Sequence, residues 1–175
     1  RVALDVTSRR VETLVELVEA ITTLQDLEAK PLQIGEVLPS ELLKTACQMA
    51  AQRAVGNDIV LNCDCPPDTP AFPGDYTRLT QALHQLLDNA CKFSHEGSEV
   101  LVTAQARSED QTMCISVVDH GIGIPHQEHG RIFERFYQVD GGLTRRYGGT
   151  GLGLALAKEI VEAHGGTVVV ESEVG

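Results

Sequence analysis

The first thirty residues contain neither glycine nor proline, and their apolar side chains recur at helical spacing. This spacing predicts a long amphipathic helix of the kind found in bundles and coiled coils. A single helix cannot cover its own apolar stripe, so it needs another helix to pack against. Because Pro31 separates the segment from the rest, we favour a dimerisation or bundle helix over a helix packed on its own domain. The stripe consists of Val11, Leu14, Leu17, Val18, Ile21, Leu24 and Leu27.

The composition limits the partners that the chain could have. Its 175 residues include 14 Lys and Arg against 25 Asp and Glu, a formal net charge of −11. This charge repels polyanions and disfavours nucleic acid as the main partner. With 42% hydrophobic residues the chain can bury a core. It has no run of about 18 apolar residues, so we expect a cytoplasmic chain without direct membrane contact, whether or not a longer parent protein is anchored.

The five cysteines predict neither a disulfide framework nor a zinc site. Their number is odd, and Cys63 and Cys65 are too close for a zinc knuckle or a Cys-x-x-Cys pair. We therefore expect free thiols in a reducing compartment.

Beyond Pro31 the pattern mixes helices and strands, which predicts an α/β fold with a mixed sheet. Period-two and apolar runs predict the strands, and caps and apolar spacing predict the helices. Ser40 is the expected N-cap of the first of these helices and Asp75 begins the second. The expected strands are 34–38, 58–63, 99–107, 112–118 and 167–171, and the expected helices are 40–54, 75–93, a short one within 125–138, and one from the glycine-rich loop to His164.

The predicted helix 75–93 carries a polar stripe formed by Gln81, Gln85, Asn89 and Lys92. Carboxamide oxygens can bind a hard cation such as Mg²⁺, and a lysine one turn further can meet a phosphate. The spacing alone also fits a solvated helix face.

A predicted strand ends at Asp119, and Gly121 and Gly123 follow it. The carboxylate could accept a hydrogen bond from an exocyclic amine, such as that of a purine, while the glycines allow close approach of a flat ring. An ordinary Asp-Gly turn is the alternative.

A second glycine-rich segment, 148–153, directly precedes a predicted helix. Free backbone N–H groups and the helix dipole make such a junction an anion site, and Arg145 and Arg146 supply nearby cations. The segment lacks the Walker P-loop pattern. A dinucleotide-binding βαβ unit is also disfavoured, because polar residues 140–147 stand where that unit needs an apolar strand, and the Tyr-x-x-x-Lys pair of short-chain dehydrogenases is absent.

Four segments in this order resemble the N box (85–93), first Gly box (119–124), F box (132–137) and second Gly box (149–154) of one family. It is the ATP-binding catalytic domain of two-component sensor histidine kinases, within the GHKL, or Bergerat-fold, ATPases. The resemblance covers residues 35–175. Lys92-Phe93 and the F box are closer to kinases than to the topoisomerases, chaperones and mismatch-repair ATPases of this fold.

The resemblance implies a two-layer sandwich, with a mixed, largely antiparallel sheet covered by helices on one face and one long bundle helix before it. Residues 1–31 would be the C-terminal helix of a dimerisation and phosphoacceptor hairpin. Residues 32–175 would be the catalytic domain, ending before the last strand that supplies a hydroxyl near the adenine-binding Asp.

The resemblance also implies roles for single residues. Asn89 would coordinate Mg²⁺ and Lys92 would contact a phosphate. Asp119 would accept the adenine amine, and Arg145 or Arg146 would reach the terminal phosphate when an ATP lid, 136–149, closes. The implied nucleotide contacts are Gln85, Asn89, Lys92, Phe93, Asp119, Gly121, Gly123, Ile124, Tyr137, Gly149, Thr150, Gly151, Leu152, Gly153 and Leu154.

In such kinases the γ-phosphoryl group passes from ATP to a histidine on the hairpin's first helix, and then to an aspartate of a response regulator. None of the six histidines here begins an amphipathic helix with an acidic neighbour, so we expect no autophosphorylation by this chain alone. The implied partners are the kinase's own phosphoacceptor helix, a homodimer partner through residues 1–30, and a response regulator.

Two departures from the family pattern leave alternatives open. Gln85 replaces a second Asn, and Gln138 stands where many members have Arg. A degenerate kinase that binds nucleotide without phosphotransfer is therefore the second hypothesis. A Ser/Thr kinase of the anti-sigma type is the third, and the bundle helix argues against it.

Overall fold

Helices and strands are intermixed along the chain in a computed structural model that describes residues 2–107, 112–139 and 149–175. The helices are α1 (Val2–Ala29), α2 (Pro39–Gly56), α3 (Tyr76–Phe93) and α4 (Gly153–Ala163), with a 3₁₀ helix at His126–Glu128. The strands are β1 (Gly35–Val37), β2 (Val60–Asp64), β3 (Phe72–Gly74), β4 (Glu99–Arg107) and β5 (Thr112–Val118).

The larger sheet has the order β2-β4-β5 and is mixed. β2 runs parallel to β4, with Val60 opposite Glu99, and β4 runs antiparallel to β5, with Leu101 opposite Val118. β1 and β3 form a separate antiparallel pair. The predicted α/β fold with mixed sheets covered by helices is therefore confirmed.

The main core lies between this sheet and the helices α2 and α3. Alternate residues of β4, Val100, Val102 and Ala104, are fully buried, as expected for a strand with one face on the core. Leu42 and Leu43 of α2, with Leu83 and Leu87 of α3, cover them from the helical layer. This packing fixes α3, whose polar stripe consequently faces away from the sheet.

Helix α1 presents two apolar stripes with different surroundings. Ala20 and Leu24 are buried, and Leu17 and Leu27 pack beside them, in a second core with α3 and α4. The other stripe is exposed; it consists of Val11, Leu14, Val15, Val18 and Ile21. The helix thus packs on its own domain along one stripe, the arrangement we considered less favoured, and keeps a second stripe that suits a bundle partner.

Charged side chains also connect α1 to the rest of the molecule. Arg78 Nη2 of α3 lies 3.4 Å from Asp26 Oδ2. Arg135 donates two hydrogen bonds to the carboxylate of Glu159 in α4, a bidentate contact with distances of 2.7 and 2.8 Å. Its Nη2 also lies 3.6 Å from Glu28 Oε1 of α1. These partly exposed pairs contribute little stability individually; they link α1 to α3 directly and to α4 through Arg135.

Several predicted details differ from the structure. Ser40 lies inside α2, whose N-cap is Leu38 without a side-chain bond, because Pro39 already takes the first helical position. The short strand β3 lies within the proline-rich turn and was not predicted, since prolines disfavour strands. Of the predicted helix within 125–138, only His126–Glu128 is helical.

The predicted strand 167–171 is wrong. No strand is present in 167–175, and no described backbone hydrogen bond joins 167–171 to β5. Period-two spacing shows which residues suit a strand, but a strand also needs a neighbour with which to exchange hydrogen bonds. The loop 108–110 between β4 and β5 lies outside the described residues.

The docking of α1 can be tested with a matched pair of variants. Leu24→Ala should lower the free energy of unfolding by about 2–4 kcal/mol, because it leaves a cavity in the second core. Val18→Ala, at a side chain that is 60% exposed, should change it by less than about 0.5 kcal/mol. Urea unfolding at a concentration that keeps the chain monomeric measures both. Equal effects would contradict the docking of α1 on α3 and α4.

Candidate functional site

The polar stripe of α3 faces the second glycine segment. Asp75 caps the helix by accepting from Arg78 N at 3.1 Å, which starts the helix where the sequence predicts. A Cβ added at Gly153 would lie 2.6 Å from Gln85 Oε1 and 3.7 Å from Asn89 Nδ2. The two carboxamides therefore lie against the N-terminus of α4.

Lys92 extends the same stripe to the start of the glycine segment. Its Nζ would lie 2.9 Å from a Cβ added at Gly149, and it is 5.1 Å from the centroid of the Phe93 ring. The ammonium group thus supplies positive charge next to the backbone N–H groups at the start of α4. Ammonium and helix N-terminus together form an anion-binding arrangement.

The segment that follows the 3₁₀ helix holds the glycine segment in place. Phe136 N donates to Gly151 O at 2.8 Å, and Gln138 Nε2 donates to Gly149 O at 2.8 Å. Gly151 has φ +69°, and a Cβ there would lie 2.7 Å from the carbonyl carbon of Phe136. A side chain at this position would strain the backbone and separate the two segments.

The first glycine segment attaches Asp119 to the C-terminal end of α3, next to Phe93. Its Oδ1 accepts from Gly121 N at 3.0 Å. Ile122 N donates to Phe93 O at 3.2 Å, and a Cβ at Gly121 would overlap that same carbonyl oxygen. The carboxylate therefore has a fixed position relative to Asn89 and Lys92.

The Asp119 carboxylate is partly buried and has one oxygen that can still accept a hydrogen bond. Partial burial of the carboxyl raises the pKa of Asp119, and the bond from Gly121 N and the nearby His120 offset part of that rise. Within the described part of the chain, its Oδ2 accepts no hydrogen bond. That oxygen is available to accept from an exocyclic amine.

The C-terminal residues pack on the first glycine segment, a contact that no sequence pattern indicates. Ile124 N donates to Ser172 Oγ at 2.9 Å. Gly123 has φ +68°, and a Cβ there would overlap Glu173 O. The glycine is thus required by this packing as well as by any flat ligand.

The side chain of Tyr137 contacts Glu128 through its hydroxyl and Arg131 through its ring. Its hydroxyl donates to a carboxylate oxygen of Glu128, and the guanidinium of Arg131 lies 4.1 Å from the centroid of its ring. These contacts attach it to the 3₁₀ helix. Arg145 and Arg146, the predicted contacts of the terminal phosphate, lie outside the described residues, as does most of the predicted lid.

The structure brings most of the predicted residues into two neighbouring groups. One group joins the α3 stripe to the second glycine segment, and the other joins the end of α3 to the first. The first group contains Gln85, Asn89, Lys92, Gly149, Thr150, Gly151, Leu152, Gly153 and Leu154, and the second contains Phe93, Asp119, Gly121, Gly123 and Ile124. Leu152, fully buried in the second core, anchors the glycine segment.

The described residues contain no cluster of three or more His, Cys, Asp or Glu side chains that could hold a metal ion. Mg²⁺ needs no such cluster when phosphate oxygens complete its coordination, and one or two protein oxygens then suffice. The carboxamides of Asn89 and Gln85 fit that requirement. Among these residues there is also no helix with the length and apolarity to span a bilayer.

His164 links the start of α3 to the end of α4, at the opposite side of the helix pair from the glycine segment. Its Nε2 accepts from Asp75 N at 2.9 Å, and its Nδ1 lies 2.7 Å from Ile160 O. Both bonds form when the ring is neutral with its proton on Nδ1. The Asp75 carboxylate also accepts from Gln33 N, so the start of α3, the end of α4 and the segment after α1 meet here.

Replacing His164 tests this junction. His164→Ala should lower the free energy of unfolding by about 1–3 kcal/mol, because the Asp75 N–H loses its acceptor in a mostly buried site. His95→Ala, at an exposed histidine, should leave it within about 0.5 kcal/mol. Thermal and urea unfolding provide the measurement. Equal stabilities of His164→Ala and the unmodified chain would show that the junction does not hold the helices.

Comparison with known proteins identifies the family to which this chain belongs. The family model described as "Histidine kinase-, DNA gyrase B-, and HSP90-like ATPase" matches residues 74–175. Sensor histidine kinase WalK of Bacillus subtilis is 35% identical over 173 residues, covering 95% of this chain and 28% of that protein. Circadian input-output histidine kinase CikA of Synechococcus elongatus is 38% identical over 168 residues, covering 94% and 22%.

A solved structure, full-length ShkA in complex with AMPPNP, matches with a TM-score of 0.79 and 32% identity, over 93% of this chain and 33% of that one. This chain spans a third or less of the length of these three proteins. The chain belongs to the histidine kinase-, DNA gyrase B- and HSP90-like ATPases, and its relatives within that family are sensor histidine kinases.

Proposed function

We propose that this chain binds Mg²⁺-ATP and donates the γ-phosphoryl group to a histidine on the phosphoacceptor helix of its own kinase. One observation carries the proposal. The carboxamides and the ammonium group of α3 converge on the glycine segment before α4, while the segment that carries Asp119 is bonded to Phe93, at the C-terminal end of the same helix. A surface that can bind phosphates and an acceptor for an exocyclic amine are thus both fixed to the last turns of one helix, which supports binding of a single nucleoside triphosphate by the two groups.

In this proposal each group has one task. Asp119 Oδ2 accepts from the adenine amine, with Gly121 and Gly123 next to the ring. Lys92 and the N–H groups of 149–153 bind phosphate oxygens, and Asn89 supplies an oxygen to Mg²⁺, which neutralises phosphate charge when bound. Arg145 or Arg146 would reach the terminal phosphate. Phosphoryl transfer depends mainly on positioning and electrostatic stabilisation, and these residues provide both for the donor.

The acceptor histidine must come from outside this chain. The first histidine in the sequence is His84, so α1 has none. We assign residues 1–31 to the second helix of a phosphoacceptor hairpin and residues 32–175 to the catalytic domain. The exposed stripe of α1 would pack against the first helix and the homodimer partner. A cytoplasmic response regulator would then receive the phosphoryl group.

The proposal predicts two separable results. Calorimetric titration of the chain with ATP should show saturable binding that Mg²⁺ strengthens, without phosphorylation of the chain. Addition of the phosphoacceptor hairpin, or use of the parent kinase, should yield an acid-labile, alkali-stable phosphohistidine. Absence of ATP binding under both conditions would refute the proposal at its first step.

A second candidate is a regulatory module that binds nucleotide without transferring phosphate. Gln138, where many kinases have Arg, does not offer a cation; its amide instead donates to Gly149 O. ATP binding with no phosphohistidine in the parent kinase would favour this candidate. Gln138→Arg would then be the variant that tests whether a missing cation is the reason.

A further inference from the structure

Helix α2 and strand β2 run in opposite directions beside each other, and this arrangement brings Cys47 close to Cys63. The helix ends at Gly56 and the strand begins at Val60, so the chain reverses direction between them. Cys47 lies nine residues before the end of the helix, about 13.5 Å along its axis. Cys63 lies four residues beyond Ile59, about 13 Å along the strand. The two residues are therefore level with each other.

The side chains at this level face one another. Leu61 of β2 packs on the main core, and Cys63, two residues further along the strand, is opposite the buried Val102 of β4, so Cys63 faces the helices as well. Cys47 of α2 packs against the same core, and the two thiols are close enough for each to shift the pKa of the other. Both cysteines are free; Cys63 is exposed and Cys47 is half-buried. An accessible thiol thus has a sheltered thiol directly beside it.

We propose that Cys47 and Cys63 form a reversible disulfide by exchange with a low-molecular-weight disulfide such as oxidised glutathione. The cross-link would join α2 to the edge strand β2. This site is separate from the proposed ATP function, and its existence does not depend on that function.

The exchange takes place in two balanced steps. Cys63 sulfur attacks one sulfur of the small disulfide, forming a mixed disulfide; the other half leaves as a thiol and takes up the proton of Cys63. Cys47 sulfur then attacks the sulfur of Cys63, and the second half leaves as a thiol with the proton of Cys47. Two protein thiols are oxidised to one disulfide, and one small disulfide is reduced to two thiols.

The environment sets the order and the speed of these steps. Burial, with a smaller contribution from Cys63, raises the pKa of Cys47 to about 12, so this sulfur is protonated at neutral pH. It therefore reacts second, when the mixed disulfide is held beside it. Burial also raises the pKa of the exposed Cys63. Because thiolates are the nucleophiles, the rate should rise with pH across the range 7–9.

Trypsin makes the test direct, because its cleavage sites separate the two cysteines. Peptide 45–53 contains Cys47 alone, and peptide 54–78 contains Cys63 and Cys65. The folded chain is incubated with oxidised glutathione, then alkylated, digested without reductant and analysed by mass spectrometry. We expect peptides 45–53 and 54–78 to be joined, the intact chain to lose about 2 Da, and dithiothreitol to reverse both changes.

Single variants identify the sulfurs. Cys47→Ser should stop at a stable glutathione adduct on Cys63, and Cys63→Ser should give no cross-link. Cys65→Ser should still form the cross-link. Cys114→Ser should form it too, because Cys114 of β5 is opposite Gln105 of β4 and lies on the sheet face away from α2. An internal Cys63–Cys65 bond, an adduct on Cys63 that persists in the unmodified chain, or an unreacted Cys63 would each overturn the proposal.

Discussion

Asp119→Asn should weaken ATP binding at least about 100-fold, which corresponds to a loss of about 3 kcal/mol. The substitution preserves the shape of the side chain and removes one acceptor. In the structure, Oδ1 accepts from Gly121 N while Oδ2 accepts nothing among the described residues. The proposed role needs both oxygens as acceptors, one for the backbone and one for the adenine amine.

An asparagine cannot meet both demands in either orientation. If its oxygen stays with Gly121 N, its NH₂ group points at the adenine amine, and two donors face each other. If the amide is flipped, the NH₂ group faces Gly121 N–H instead. A site that leaves a polar group unpaired discriminates strongly, and the loss should therefore exceed that of one ordinary hydrogen bond.

The same substitution should leave the folded chain intact and make it slightly more stable without nucleotide at neutral pH. Because burial raises the pKa of Asp119 in the folded state, the ionised form is less favourable there than in the unfolded chain. The stability associated with this group is present below the unfolded pKa and is lost as the pH rises through the folded pKa. The stability difference between Asp119→Asn and the unmodified chain should accordingly grow with pH across that window.

Calorimetry with ATP and thermal unfolding without ATP, across the pH range 3.5–7.5, measure the two effects. Asp68→Asn, at an exposed carboxylate in the proline-rich turn, is the matched control and should change neither. Loss of binding together with loss of stability would mean that Asp119 is a structural residue. Unchanged binding would remove it from the proposed adenine site.

The parts of the fold that the sequence predicted are those set by nearby residues. The bounds of β4 and β5 agree with their alternating patterns, and α3 begins where Asp75 can cap it. The polar stripe of α3 was also predictable, because helical spacing alone places Gln85, Asn89 and Lys92 on one face. Spacing could not identify which surface that stripe would face.

The features that were not predicted depend on residues far apart in the chain. His164 reaches back 89 positions to the N–H group of Asp75, and no local pattern marks such a bond. The docking of α1 depends on Leu24 meeting α3 and α4, whereas the spacing also fits a bundle. The sequence spacing that we considered was that of Cys63 and Cys65; Cys47 lies 16 residues before Cys63, and only the reversal between α2 and β2 brings these two level.

Asn89→Ala should remove most of the effect of Mg²⁺ on ATP binding. With Mg²⁺, the affinity for ATP should fall about 10- to 100-fold, the range expected when a bond to a charged group is lost. Without Mg²⁺, the affinity should stay close to that of the unmodified chain, because Lys92 and the glycine segment still bind the phosphates. The ratio of the two affinities therefore separates a metal ligand from a general structural role.

Gln85→Ala is the matched control, since it removes a carboxamide from the same helical face one turn earlier. Both carboxamides lie beside Gly153, Gln85 Oε1 closer to it than Asn89 Nδ2, and Asn89 is one helical turn nearer along α3 to Lys92, whose ammonium group lies beside Gly149. The phosphates, and hence their metal ion, should be next to Asn89, so Gln85→Ala should change the Mg²⁺ effect by less than about twofold. Calorimetric titrations with and without Mg²⁺ decide between the two residues, provided that both variants unfold at the same temperature without nucleotide. If Gln85→Ala loses the Mg²⁺ effect while Asn89→Ala keeps it, the longer carboxamide is the ligand, and the metal ion lies one helical turn nearer to the start of α3 than proposed.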